Sequence, residues 1–416
     1  MAIKEHTSVY YLDIKFGELA GSSKNTPTRL NIQRNPLEET YIIQDINKLT
    51  PSFRLRFQDL AGEYIHLAPF DKSRNKVRFS LNRNMYPETP VVFDFDIYRT
   101  FPTLDSIYDV EGLLQCDGLY SPPKIRGFSD TISVAEHLTN IALDELKVDS
   151  VDISSSLDRV FMNIVQPDWT TAELLNYLKD NLLGSTGEGC YFCFIKCELD
   201  KRIFVFRTLK ELYSKNIAYN FTNSSSAFAS SSAGVVFYPI LDFKVYDNYK
   251  ALGLKGVKKA RYRTFDYDNS TLDEQELKLN NNVSDIDNFL SLTTYFAIDG
   301  GDEDTNFSTF SGRTGSVFNP KGHTKKVFYD RLSNLSKFWL TTWGLEDISP
   351  GTLVSTEFID RADLVSMHQY NGTWLVEKVV HLLGNNFGTR LLLTRSGVNT
   401  SVNTTLLRAD SKNITK

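Results

Sequence analysis

Cysteine is scarce in this sequence, and long apolar runs are missing. Four cysteines among 416 residues are too few for a disulfide-stabilised scaffold, and their number fits synthesis in a reducing cytoplasm. No apolar run approaches the ~18 residues that a membrane-spanning helix needs, so we expect no membrane insertion. Residues 1–10 also lack the apolar stretch of a secretory signal peptide.

Basic charge is not in excess either. The 46 Lys and Arg residues are outnumbered by 51 Asp and Glu residues, which gives a net charge of −5. This charge balance argues against a protein that binds nucleic acid over much of its surface. Aromatic residues are abundant instead, with 28 Phe and 20 Tyr, and they favour strands and large contact surfaces. Length and composition together predict a β-rich protein of about two to four domains.

Short β-type segments dominate residues 1–110. Leu55 and Phe57 alternate with charged residues, and Phe93, Phe95 and Ile97 do the same in the segment 91–98. Because short strands recur at this spacing, the segment predicts a small barrel or sandwich. The remaining strands are predicted at 10–16, 41–46, 64–67 and 76–81.

Residues 111–234 have the pattern of a mixed α/β unit. Ser133 with Glu136, and Thr170 with Glu173, have the spacing of capping boxes in front of two amphipathic helices. We predict a strand at 160–165 and a hairpin formed by 190–198 and 202–207. A serine-rich, low-complexity loop at 222–232 ends the unit.

Residues 235–395 return to strands, and an acidic insert interrupts them at about 266–320. We interpret the insert as loop-rich or as a small added element. A helical stripe of Phe328, Leu332, Leu335 and Trp339 predicts one amphipathic helix at 325–340. Strands are predicted at 235–246, 258–267, 353–359, 373–383 and 389–394, and residues 396–416 are expected to form a flexible polar tail.

Cysteine and glycine give weak indications of chemistry. Cys190, Cys193 and Cys197 lack a nearby fourth ligand, and strand periodicity puts Cys190 on the opposite face from the other two. Buried strand thiols are therefore favoured over a zinc site. The glycine-rich run 184–189 lacks the Lys-Ser/Thr ending of a phosphate loop and leads into a strand, so it predicts a turn.

Histidines and acids do not form a catalytic pattern. None of the six histidines lies within helical reach of another, and His381 in a predicted strand fits a hydrogen-bonded structural role. The acids Asp299, Asp302, Glu303 and Asp304 do not have EF-hand spacing, which favours a solvated loop. We therefore predict no enzyme and no catalytic, cofactor-binding or metal-binding residues.

One basic segment remains, residues 249–263, which carries six Lys and Arg residues and no acid. It adjoins the acidic insert, so pairing within the chain or a solvated strand face is the favoured interpretation. The alternative is docking to an acidic neighbour or a transient contact with nucleic acid.

The C-terminal block resembles a known family. It has a Pro350-Gly351 turn before a strand, a second strand that reaches His381, and a final strand at 388–395. This order is similar to the last tube-like barrel of the central baseplate hub proteins of contractile-tailed bacteriophages, a T-even-like family related to the base of secretion-system spikes. The two predicted helices after Ser133 and Thr170 resemble the α/β domain of these hubs.

The resemblance implies an α+β, mainly β fold with two tube-like antiparallel β-barrel domains, at 1–110 and 235–395, and an α/β domain at 111–234 between them. It implies a homotrimer that joins a sixfold tail tube to a threefold central spike and forms part of the DNA channel. The implied partners are the central spike protein, the tail tube or tube-initiator protein, surrounding baseplate proteins and the tape-measure protein. DNA would pass only in transit, and the protein would assemble in the host cytoplasm into the virion tail.

Two other functions stay open from the sequence. One is the hub-like base of the spike of a contractile injection system. The other is a tail-associated cell-wall hydrolase or glycan-binding protein, since the abundant acids do not exclude a catalytic carboxylate pair.

Overall fold

The structure is a computed structural model. It describes residues 10–17, 28–30, 32, 36–59, 76–82, 89–102, 106–162, 164–185, 189–223, 236–247, 259–266, 271–278, 293–299, 309–310, 314–315, 336–358, 370–384 and 386–395. Between 259 and 315 the description covers the backbone path alone.

The first part of the chain folds into a curled antiparallel sheet with the order β3-β4-β7-β6-β5-β1-β2. The predicted alternation is confirmed, because Leu55, Phe57, Phe93 and Phe95 all point into the core. The rings of Phe53 and Phe95 lie 4.7 Å apart, so one aromatic cluster fills the concave side. The strands are β1 (Tyr11–Phe16), β2 (Thr28–Arg29), β3 (Thr40–Asp45), β4 (Ser52–Gln58), β5 (Lys76–Asn82), β6 (Val91–Pro102) and β7 (Ile107–Leu114).

Ion pairs cross between the strands on the opposite, outer side of this sheet. Arg54 donates from Nε to both carboxylate oxygens of Asp109 at 2.9 and 3.1 Å, and Arg78 donates to Asp94 at 2.6 and 2.8 Å. These bidentate pairs add specificity to the strand register as well as some stability.

The middle of the chain forms a small α/β unit. Its three-stranded sheet has the order β11-β12-β9, with β9 parallel to β12, and a separate two-stranded ribbon pairs β8 with β10. The elements are β8 (Lys124–Phe128), α1 (Val134–Asn140), β9 (Ser150–Ile153), β10 (Ile164–Trp169), α2 (Thr171–Asn181), β11 (Tyr191–Glu198), β12 (Lys201–Thr208) and α3 (Leu209–Tyr213); a π-helical turn, Ile141–Glu145, continues α1.

Both predicted helix starts in this unit are confirmed. The Ser133 hydroxyl accepts a hydrogen bond from the Glu136 backbone N–H, and Thr170 and Glu173 form a complete capping box. Each cap satisfies backbone N–H groups that the first turn of a helix leaves unpaired.

The last part of the chain builds a second curled sheet with the order β15-β21-β24-β23-β22-β13-β14. The two ends of this sheet meet, because the amide of Ile240 donates to Thr222 O at 2.9 Å and that of Leu241 donates to Thr341 O at 2.8 Å. Trp374 fills the interior, with its ring edge-on to Phe338 at 4.6 Å. The strands are β13 (Ile217–Thr222), β14 (Phe237–Pro239), β15 (Asp242–Asp247), β21 (Ser336–Trp343), β22 (Leu353–Glu357), β23 (Gly372–Leu383) and β24 (Gly388–Arg395).

A small inserted sheet interrupts this second half. Its order is β17-β16-β18, with a separate hairpin of β19 and β20. The insert therefore contains regular strands and matches the second of the two interpretations, a small added element. The strands are β16 (Lys259–Asp266), β17 (Thr271–Lys278), β18 (Thr293–Asp299), β19 (Thr309–Phe310) and β20 (Thr314–Gly315).

The mainly-β fold class is confirmed, but two local predictions are wrong. Residues 336–340 lie in β21 and not in a helix, because long-range pairing with β15 and β24 fixes an extended backbone and buries the alternating Phe338 and Leu340. The remainder of the predicted helix, 325–335, lies outside the described residues. The strand predicted at 160–165 begins only at Ile164 and continues through Pro167, which is tolerated because the register is irregular between Gln166 and Trp169.

Three further predictions fall outside the described residues. They are the strand at 64–67, most of the serine-rich loop and the polar tail at 396–416.

Candidate functional site

Strand β23 is the element that joins the two curled sheets. Its first residues pair with β22 through Ser355↔Thr373, and its later residues pair with β3 through His381↔Ile42, while β24 runs along the other edge. One 12-residue strand thus belongs to both halves of the molecule. The junction between the halves is therefore a continuous hydrogen-bonded sheet and not a linker.

Buried charges mark the point where β23 changes partner. Glu377 lies at a bulge in β23, where its carboxylate pairs with Lys337 of β21 at 2.5 Å and accepts a hydrogen bond from Asn47 Nδ2 at 3.2 Å. Next to it, Lys378 pairs with Asp45 of β3 at 2.9 Å. The two ion pairs connect strands of both halves.

Burial dominates the electrostatics of this cluster. Loss of solvent raises the pKa of Glu377, and the nearby Asp45 carboxylate raises it further, although Lys337 and Lys378 act in the opposite direction. Removing one member would leave a charge with no compensation in a nearly dry site. Glu377 and Asp45 are both held by lysines, which suits a structural clamp better than a catalytic carboxylate pair.

The sequence analysis did not identify this cluster. The pattern Val376-Glu377-Lys378-Val379 interrupts an apolar strand with two adjacent charges. Such an interruption predicts a bulge or a buried ion pair, and it was the one available indication.

His381 lies inside the same junction and is fully buried. Its Nε2 is 3.5 Å from Gln44 Nε2, and its ring centroid lies 6.0 Å from those of Phe93 and Phe387. Gln44 in turn accepts a hydrogen bond from the Cys197 backbone N–H at 3.3 Å. Burial lowers the pKa of His381 to about 4, so the ring is neutral at neutral pH and fits the structural role that we predict.

Gly351 lies where the α/β unit packs closely against the junction. Its φ of +79° is a left-handed conformation, and a Cβ at this position would lie 3.0 Å from Cζ of Phe194 in β11. Its amide donates to Val376 O of β23 at 2.8 Å. The Pro350-Gly351 turn therefore needs glycine both for its backbone angle and for close packing.

All four cysteines are buried, and none of them forms a disulfide. Cys193 and Cys197 face the main core, while Cys190 faces a separate cluster with Leu353 and Leu375, as the strand periodicity predicts. Burial raises the pKa of Cys116 and of Cys193 to about 12, which keeps both thiols protonated. Among the described residues, no group of three or more His, Cys, Asp or Glu side chains could hold a metal ion.

The other predicted positions are dispersed. His137 lies on α1 with Nε2 3.0 Å from Ser129 O, and its ring is edge-on to that of Phe128 at 5.1 Å. In the backbone register of the insert, the basic strand β16 faces the acidic strand β17, with Arg261 opposite Glu276 and Arg263 opposite Glu274. Asp302, Glu303 and Asp304 lie outside the described residues. No helix in the described part of the chain is long and apolar enough to cross a membrane.

No protein-family model and no curated protein sequence matches this chain. Several solved structures match it. A tail protein from Neisseria meningitidis MC58 is 11% identical, with a TM-score of 0.55, and the match covers 94% of this chain and 97% of that one. The 43 kDa tail protein of prophage MuSo2 from Shewanella oneidensis is 11% identical, with a TM-score of 0.56 and coverage of 93% and 99%.

The chain has a phage tail protein fold. Both matches extend over nearly the full length of each protein, so the likeness includes the α/β unit and both curled sheets. Prophage tail protein gp18 from Listeria monocytogenes EGD-e also matches, at 11% identity and a TM-score of 0.47, over 97% of this chain and all of that one.

Proposed function

We propose that this tail protein is the central hub of a contractile-tail baseplate and that it acts as a homotrimer without catalytic activity. The observation that carries the proposal is the joining of two curled sheets through β23 within one chain. Three chains would supply six such sheets, enough to face a sixfold tail tube, while the assembly keeps the threefold symmetry that a trimeric spike requires.

The domain organisation in this proposal has a first barrel domain at 1–110, an α/β domain at 111–234 and a second barrel domain at 235–395. The last strand of the segment 111–234, β13, pairs within the second curled sheet. The ion-paired junction at Glu377 and Asp45 would hold the two barrel domains at a fixed angle. A fixed angle is needed because any hinge between them would destroy the sixfold match.

The hub would contact the tail tube or its initiator on one side and the central spike on the other, with baseplate proteins around it and the tape-measure protein inside. DNA would cross the ring during ejection. The slight net negative charge of the chain, −5, supports passage without retention because a basic channel would bind the phosphates. The protein would assemble in the host cytoplasm and then reside in the virion tail.

Light scattering of the purified chain tests the proposal. We expect a mass of about 142 kDa, three times the 47.4 kDa of one chain, and a ring outline in negative-stain images. If the chain stays monomeric alone, the run is repeated with the spike protein from the same tail locus. A chain that is monomeric in both, or that is missing from the baseplate centre of purified tails, contradicts the hub assignment.

A further inference from the structure

Two buried polar atoms in one row of the second curled sheet have no hydrogen-bond partner among the described residues. They are Nδ1 of His381 in β23 and Oγ1 of Thr342 in β21, and both side chains are fully buried. Thr389 of β24 lies between them, directly opposite His381 on one side and Thr342 on the other. The large majority of buried side-chain polar atoms in proteins are paired, so two unpaired atoms in one row indicate a shared partner.

The other nitrogen of the ring determines which hydrogen-bonding role Nδ1 has. Gln44 Oε1 accepts the Cys197 backbone N–H at 3.3 Å, so the amino group of the same amide faces Nε2 of His381 at 3.5 Å. An amide nitrogen only donates, and therefore Nε2 accepts and the proton of the neutral imidazole lies on Nδ1. The unpaired Nδ1–H group of His381 is thus a buried donor that needs an acceptor.

Three neighbours of His381 do not supply this acceptor. The hydroxyl of Thr389 is already used by Leu345, since it accepts from the Leu345 amide at 2.8 Å and donates to the Leu345 carbonyl at 3.4 Å. The rings of Phe93 and Phe387 lie with their centroids 6.0 Å from that of His381, and they carry no acceptor oxygen. The acceptor must therefore be a small group that enters the row.

The length of the row suits one water molecule. Directly opposite residues on adjacent strands have Cβ atoms about 5 Å apart, so the Cβ atoms of His381 and Thr342 are separated by roughly 10 Å. Two hydrogen bonds of ~2.8 Å through one water span about 5.6 Å, and the two side chains cover the remainder. The central Thr389 is short, whereas Leu391 and Leu340 occupy the adjacent row of the same face.

We propose that this row is a binding site for one ordered water molecule, which accepts the Nδ1–H of His381 and hydrogen-bonds to the hydroxyl of Thr342. Buried waters typically make about two to four hydrogen bonds to polar groups that would otherwise be unsatisfied. A cation does not fit this site, because the nitrogen that faces it carries a proton. The water connects β21 to β23 across β24, beside the point where β23 pairs with β3.

A high-resolution crystal structure of the full-length chain tests the site directly. We expect an electron-density peak at ~2.6–3.2 Å from both His381 Nδ1 and Thr342 Oγ1. In crystals of the Thr342→Val variant, which keeps the side-chain shape without the hydroxyl, this peak should be weaker or lost. A wild-type map with no peak there, or with Nδ1 bonded directly to Thr389, overturns the proposal.

A double-mutant cycle in solution tests whether the two side chains share a partner. Thr342→Val should lower the midpoint of urea unfolding, because the water and the Nδ1–H of His381 lose a partner. In a His381→Leu background no buried donor remains, so the same substitution should leave the midpoint unchanged or raise it. Thr341→Val, on the opposite face of β21, is the matched control and should shift the midpoint equally in both backgrounds. Equal shifts for Thr342→Val in the two backgrounds overturn the proposal.

Nitrogen NMR of the wild-type chain, labelled with 15N-histidine, tests the proton position even if the variants fold poorly. The spectrum of His381→Gln identifies the His381 signals by their loss. We expect a neutral ring with its proton on Nδ1, and a proton on Nε2 overturns the proposal. The site lies within one chain, so each of these results leaves the hub assignment to be decided by the mass of the assembly.

Discussion

Replacing Gly351 by alanine should destabilise the protein strongly, although only one methyl group is added. The left-handed φ of +79° costs an L-residue about 1 to 2 kcal/mol, and overpacking against the ring of Phe194 at 3.0 Å costs about 1 to 3 kcal/mol more. Lower entropy of the unfolded chain offsets less than about 1 kcal/mol of this. We therefore expect Gly351→Ala to lower the free energy of unfolding by about 2 to 4 kcal/mol.

Urea unfolding followed by fluorescence measures this loss, and two further variants separate its causes. Gly127→Ala is the matched control, because that glycine has open space and no left-handed φ, and it should be neutral or stabilising by about 0.5 kcal/mol. In a Phe194→Leu background the ring atom that the new methyl group meets is gone. The cost of Gly351→Ala should then fall by about 1 kcal/mol or more, leaving the cost of the backbone angle.

The reasoning is refuted if Gly351→Ala unfolds at the same urea concentration as Gly127→Ala. If the cost of Gly351→Ala is unchanged in the Phe194→Leu background, the backbone angle matters and the packing against β11 does not.

Three other perturbations test the junction and a helix start. Lys337→Met leaves Glu377 buried without its ion-pair partner and should lower the free energy of unfolding in urea by about 3 to 5 kcal/mol. Adding Glu377→Gln should recover most of this loss. Equal losses in the single and double variants would contradict the buried pair. His381 stays neutral in the folded chain but gains a proton below about pH 6.5 in the unfolded chain. Its contribution to the free energy of unfolding should therefore be complete above about pH 6.5 and fall by up to about 3 kcal/mol towards pH 4. His381→Gln should flatten this pH dependence, and an unchanged slope would exclude His381 as its cause. Thr170→Ala removes the hydroxyl that accepts the Glu173 N–H and should cost about 1 kcal/mol, whereas Thr170→Ser should be nearly neutral by the same assay.

Local patterns in the sequence were sufficient for elements whose causes lie within a few residues. The alternation around Leu55 and around Phe93 gave β4 and β6, and the cap residues Ser133 and Thr170 gave the starts of α1 and α2. The hairpin of β11 and β12 followed from two β-type runs separated by a short polar turn. Each of these predictions depends on a pattern of residues within the segment itself.

The resemblance in the sequence, which depended on the order of the C-terminal elements, agrees with the phage tail protein fold of the chain. The pattern of Pro350-Gly351, a strand to His381 and a last strand corresponds to β22, β23 and β24. Its physical meaning came only with the structure, where Gly351 meets Phe194 and His381 is enclosed by residues from β3 and β6.

The sequence by itself determined the β-rich class, most strands of the two sheets and the helix caps, because alternation and capping are local. Tertiary structure alone decided that residues 336–340 extend into β21, since pairing with β15 and β24 outweighs a helical stripe. Tertiary structure alone also decided that β23 pairs within both sheets. It likewise decided that Glu377 forms an ion pair with Lys337, 40 residues earlier in the chain. Such choices depend on pairing between strands that are distant in the sequence. The free energy of that pairing does not appear as a periodicity within one segment.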